Sequence, residues 1–206
     1  MSIIIFLLKM EDQKLKKLKK ILAIVGITIL VLNLVIGLIF VVYCIRNTYY
    51  YEWGMKKVYK TGFTQKKITT DNQTILNYAE SPDNGPALLL IHGQCDDWTS
   101  YMKNLPELSK YYHIFAVDCP GHGDSSHDSS KYSANATGAD FTWFIENVIG
   151  EPAVVSGHSS GGLLSAWLAA NSPEDVLGIV LEDPPLFSCE DNRKENTYNY
   201  IDLSTA

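Results

Sequence analysis

Cysteine is scarce. Four cysteines in 206 residues are too few to staple a fold, so disulfides do not define this chain. Positive charge is also short, with 17 Lys and Arg against 23 Asp and Glu, a net of −6. That balance excludes a general nucleic-acid binder, which needs a basic surface. No His/Cys pattern has metal-ligand spacing, and no glycine pattern of the phosphate-cradling kinds occurs. Neither a metal nor an organic cofactor is expected. Internal repeats and low-complexity tracts are absent. Histidine is the most consequential shortage: His92, His113, His122, His127 and His158 are all there are, and none follows residue 158. What is present is a folded composition, 46% hydrophobic and 19% charged, enough for one domain and an appendage.

The charge is unevenly placed. Residues 1–20 carry a net of +4, residues 47–206 a net of −11, and Arg46 stands alone between them. Residues 21–43 hold no charge, and Thr28 and Asn33 are their clearly polar side chains. A helix of that length rises about 34 Å, enough to span a bilayer core of about 30 Å. A cleavable signal peptide needs a shorter apolar core and a small-residue exit. Here the exit is Val41-Val42-Tyr43-Cys44. The expectation is an uncleaved single-pass anchor at residues 21–43. A cytoplasmic basic segment (1–20) precedes it, and a juxtamembrane stalk (44–62) and an extracytoplasmic domain (63–206) follow, oriented by the lysines on the N-terminal side. Tyr43, Tyr49, Tyr50, Tyr51 and Trp53 suit the outer interface, or begin the domain's packing. The start is either Met1 or Met10. The lipid bilayer is thus one partner; protein partners are not legible.

The soluble part opens with a hairpin signal, alternating residues on both sides of Asp71-Asn72. Four short apolar runs follow, at 87–91, 113–117, 153–156 and 176–181. Runs of this kind read as strands covered on both faces. Helical spacing appears between them at 98–108, with Pro106 breaking or restarting it, at 134–149 and at 160–171. The pattern predicts an α/β fold, a mainly parallel sheet with right-handed crossovers and helices on both faces. Functional residues in such sheets gather at the carboxyl ends of strands.

At one such end, Gly157-His158-Ser159-Ser160-Gly161 lies between a strand and a helix. This is the spacing of a nucleophile elbow, in which a strained serine is held above the sheet at a helix N-terminus. Ser159 is the candidate nucleophile. At another, His92-Gly93-Gln94-Cys95 forms a loop whose N–H near Gln94, with that of Ser160, would face an oxyanion; His92 reads as a structural loop residue. A third, Asp118-Cys119-Pro120-Gly121-His122-Gly123-Asp124-Ser125, reads as a tight turn in which Asp118 and His122 fix loops. The last strand ends in Glu182-Asp183-Pro184-Pro185. Asp183 is either a catalytic acid or a turn cap before the prolines. Cys95 and Cys119 both lie at strand ends and are either bridged or free; Cys44 and Cys189 lie far from them in the chain.

Three motifs in this order, Leu90-Ile91-His92-Gly93, Asp118-x-Pro120-Gly121-His122-Gly123-x-Ser125 and Gly157-His158-Ser159-Ser160-Gly161, resemble the α/β-hydrolase superfamily over residues 64–187. The middle one resembles the branch of esterases, lipases, haloperoxidase-like proteins and epoxide hydrolases. The resemblance implies acyl transfer from an ester-like small molecule to water through a Ser159 acyl-enzyme, with Gln94 and Ser160 as oxyanion donors. It also implies a base histidine after a lid and two more strands. This chain stops where that lid would begin, and the base is absent. The expectation is therefore an incomplete hydrolase fold, cut short at its C-terminus, with its last strand exposed at a sheet edge. Two alternatives remain: a catalytically inactive, hydrolase-like binding module at the membrane, and the same fold with haloperoxidase-like chemistry.

Overall fold

A computed structural model describes residues 2–186, with side chains from residue 13 onward. Phe187, the end of the family-like stretch, and Cys189 lie outside the described residues. The chain divides into two units, Met1–Glu52 and Trp53–Ala206.

One helix, α1, runs over Ser2–Lys60. No proline occurs before Pro82, so nothing in this stretch removes a backbone donor. The portion Gln13–Lys60 is long and apolar enough to cross a membrane. The two clearly polar side chains of residues 21–43 bond back to the helix. Thr28 Oγ1 donates to the Ile24 carbonyl at 2.9 Å, and Asn33 Nδ2 to the Ile29 carbonyl at 2.8 Å. Both donors are thereby satisfied without water, as a hydrocarbon surrounding demands. The residues read as a stalk are helical as far as Lys60, and the helix stops at Gly62, whose φ is 96°.

The second unit holds a six-stranded sheet of order β1-β2-β4-β3-β5-β6. The strands are β1 (Thr64–Thr69), β2 (Ile75–Glu80), β3 (Ala87–Ile91), β4 (His113–Val117), β5 (Ala153–His158) and β6 (Val176–Glu182). Strands β1 and β2 form the hairpin, β2 meets β4 antiparallel, and β4, β3, β5 and β6 are parallel. Every residue of β3 is buried, as its unbroken apolar run requires at the sheet's centre.

Each face of the sheet has its own core. One packs Leu89, Ile91, Phe115 and Val155 beneath the helices α3 (Ala134–Phe144) and α4 (Ser160–Asn171). The other packs Leu88, Leu90, Ile114 and Ala116 against Trp98, Tyr101, Leu105 and the buried Met55 and Val58 from the last turns of α1. Residues 98–108 are not one helix. A 3-10 turn, Trp98–Tyr101, precedes the short α2 (Leu105–Leu108), with Pro106 in its first turn. Proline there loses no hydrogen bond, so it starts this helix instead of breaking it. The predicted helix at 134–149 widens at its end: α3 gives way to a π turn at Ile145–Ile149, which Gly150 ends at φ 76°. Strand β6 lies at the sheet edge with Leu177 64% and Val180 50% exposed.

Candidate active site

Ser159 joins β5 to α4 with φ 52° and ψ −116°. A side-chain-bearing residue reaches that region only at a cost of about 1–3 kcal/mol, which the surroundings must impose. They do so through close backbone approach. A Cβ on Gly157 would lie 2.1 Å from the Gly161 carbonyl oxygen, and one on Gly161 would lie 2.2 Å from that of Ile91. The two flanking glycines therefore let strand, helix and the end of β3 meet. The Ser159 N–H donates to the Glu182 carbonyl at 2.8 Å, which ties the turn to the end of β6.

The loop after β3 passes directly beside this serine. A Cβ on Gly93 would lie 3.3 Å from Ser159 Cβ and 2.8 Å from His158 Nδ1. The neighbouring Gln94 is held on both sides by histidines. The Cys119 N–H donates to His92 Nε2 at 3.0 Å, which requires a lone pair there and puts the ring proton on Nδ1. That Nδ1–H donates to the Gly93 carbonyl at 2.6 Å. On the other side the Cys95 N–H donates to His122 Nε2 at 3.2 Å, and His122 Nδ1 faces the Pro120 carbonyl at 3.3 Å. The two rings meet edge to face at 5.1 Å. Burial pushes the His92 pKa below its ordinary value, with the Gly93 carbonyl opposing, so the neutral form that both bonds need is favoured. Among the described residues, no acceptor takes the Gln94 or Ser160 N–H, and nothing bonds the Ser159 hydroxyl.

Asp118 is buried, and its carboxylate organises the third loop. Oδ1 accepts from the Trp98 N–H at 2.8 Å. Oδ2 accepts from Asn77 Nδ2 at 2.7 Å and the Asp124 N–H at 2.9 Å. Gly123, with φ 49°, leaves the space: a Cβ there would lie 2.1 Å from Oδ2. Gly121, with φ 86°, likewise leaves room for the Tyr132 ring. Asp118, Gly121, His122 and Gly123 are thus brought together as a scaffold behind the loop that carries Gln94.

Asp183 follows β6 with φ 50° and an exposed side chain. The neighbouring carboxylate, Glu182, reaches across to β5. Glu182 Oε1 accepts from Ser156 Oγ at 2.6 Å. Tyr101 lies on the same side, donating to the Ile91 carbonyl at 2.9 Å. Its pKa is pushed up by burial first and the Glu182 charge second. Sequence reasoning missed Glu182, although its register partner His158 signals that it shares a sheet face with Ser156. Cys95 and Cys119 are both free. Cys95 is exposed, whereas burial pushes the Cys119 thiol up to about 12, leaving it unreactive. No group of three or more His, Cys, Asp or Glu among the described residues is placed to hold a metal ion.

Comparison with known proteins agrees with this architecture. The sequence matches the family described as alpha/beta hydrolase fold over residues 86–202. It is 30% identical over 118 residues to a human serine hydrolase-like protein, covering 56% of this chain and 58% of that one. It is 36% identical over 100 residues to a magnesium-chelatase 30 kDa subunit of Rhodobacter capsulatus, covering 48% of this chain and 35% of the relative. Among solved structures, a membrane phospholipase A described as a bacterial virulence factor superposes with a TM-score of 0.57 at 26% identity. That match covers 74% of this chain and 52% of the other. The chain spans about a third to somewhat over half the length of these relatives.

Proposed function

This chain belongs to the alpha/beta hydrolase fold family, and from that premise we propose that it is a membrane-anchored serine hydrolase acting on an ester-like substrate through Ser159. The observation that carries the proposal is the strained Ser159 at the β5–α4 turn, with the Gly93–Gln94 loop against its Cβ. Ser159 Oγ attacks the ester carbonyl. The resulting oxyanion takes hydrogen bonds from the Gln94 and Ser160 N–H groups. The intermediate collapses, the alkoxide leaves as an alcohol with the proton that Oγ gave up, and water then cleaves the acyl-enzyme to the acid and restores the hydroxyl. The anchor is α1, with the lysine-rich segment on the cytoplasmic side and the sheet outside. A membrane-lipid ester is the substrate class that the anchor and the likeness to a membrane phospholipase A favour.

The Oγ proton needs a base. His92 and His122 have both ring nitrogens engaged by loop backbone. That specific observation supports a second reading, a hydrolase-like module that binds its ligand at the membrane without turning it over. Asp183 as the acid is part of the first reading and has no role in the second.

Treating the detergent-solubilised chain with a fluorophosphonate and mapping the label by mass spectrometry separates the two. Slow but selective phosphonylation of Ser159, abolished in Ser159→Ala, is expected for a site that keeps its oxyanion donors without a base, since such sites retain about 10³–10⁴-fold rate enhancement over water. Labelling no faster at Ser159 than at surface serines would leave the binding module as the surviving reading.

A further inference from the structure

At the end of the uncharged span, one face of α1 carries a shallow, half-open cleft lined by Tyr43, Arg46, Asn47 and Tyr50. Those positions are i, i+3, i+4 and i+7, which share one helix face. We infer that this cleft is a seat for the phosphodiester of a phospholipid headgroup, in the leaflet at the C-terminal end of the span. The inference rests on the membrane reading of α1 made above.

Depth, donors and charge support it. Arg46 lies three residues beyond Tyr43, a rise of about 4.5 Å. The headgroup layer on each side of the hydrocarbon is about 5–7 Å thick, so the guanidinium falls at the level of the phosphates. Arginine is suited to this ligand because its planar fork bonds two phosphate oxygens at once. The Asn47 amide adds a neutral donor beside it. Arg46 is the first cation after the span, and the next, Lys56, comes ten residues later. No salt bridge engages Arg46 among the described residues. Residues 47–206 carry a net of −11, and Lys56, Lys57 and Lys60 are the cations that follow Arg46 on α1. Lipid phosphate at the level of the span's end therefore meets Arg46 first.

The test uses the full chain, reconstituted in vesicles of phosphatidylethanolamine and phosphatidylglycerol, re-extracted in mild detergent and weighed by native mass spectrometry. The expected result is a retained phospholipid. Arg46→Gln should lower the retained fraction by about tenfold or more, and Arg46→Lys by less, because the charge stays while the fork is lost. Excess inorganic phosphate should not displace the lipid; displacement would assign the cleft to a free anion and overturn the lipid source. Equal retention by Arg46→Gln would overturn the cleft while leaving the anchor intact. A chain that alkaline carbonate strips from the vesicles would overturn the membrane reading, and the cleft with it.

Discussion

Replacing Asp118 tests whether the loop scaffold is built by acceptor count. Its buried carboxylate accepts three hydrogen bonds, from the Trp98 and Asp124 N–H groups and from Asn77 Nδ2. Asp118→Ala strands all three donors. Leaving a buried donor unsatisfied costs about 1–3 kcal/mol, so the expected loss is about 3–9 kcal/mol, against a typical domain stability of about 5–15 kcal/mol. Asp118→Asn is the discriminating change. Its one oxygen can serve Asn77 and Asp124, while its amide then faces the Trp98 N–H. One donor is orphaned, and the expected loss is about 1–3 kcal/mol. Asn77 cannot turn round to help, because its Oδ1 accepts from Gln65 Nε2 at 2.9 Å. Urea titration of the full chain in nonionic detergent, followed by tryptophan emission, reads these losses, since Trp98 is buried beside the affected loop. The order wild type, Asn, Ala in falling midpoint is expected. An Asn variant as stable as the wild type would refute the acceptor argument, and so would an Ala variant no worse than Asn.

Protonating His92 should weaken the clamp on Gln94, because Nε2 would then present a hydrogen to the Cys119 N–H. Its folded pKa lies below the ordinary value of 6.5. The unfolded chain therefore binds the proton first, and stability is complete above about pH 6.5 and falls as pH drops below it. Urea midpoints between pH 5 and 8 should show that slope, His92→Asn should flatten it, and an unchanged slope in the variant would assign it elsewhere. At the sheet edge, Leu177 on β6 is largely exposed beside unpaired backbone, a surface that invites strand pairing. Leu177→Lys should reduce concentration-dependent association by light scattering while moving stability by no more than about 0.5 kcal/mol; equal association in the variant would remove the edge as its cause.

The sequence reading and the structure part company along a physical line. Strands β3 and β4 are bounded just as their apolar runs suggest, because a strand buried on both faces must write that burial into consecutive residues. The turn at Ser159 was legible for a related reason. Close backbone approach at Gly157 and Gly161 admits only glycine, so the requirement appears as a local pattern. Features that depend on partners far along the chain left no such trace. His92 and Cys119 are 27 residues apart, and so are Cys95 and His122; Ser156 and Glu182 are 26 apart. The reading of His122 as a loop-fixing residue did not name the loop beside the serine, and nothing near residue 182 announces that Glu182 reaches Ser156. Alternation does carry part of that information. In a strand, neighbours point to opposite faces, so only one of two adjacent carboxylates can share a face with Ser156, and register with His158 selects Glu182. The continuation of α1 to Lys60 was hidden differently. Residues 49–60 mix tyrosines with lysines, a pattern equally suited to an interface and to packing. Burial of Met55 and Val58 assigns its last turns to the packing of the sheet unit. The parts of the site that the sequence displays are those imposed by backbone sterics. The parts it conceals are long-range hydrogen bonds, and those hold Gln94 beside Ser159.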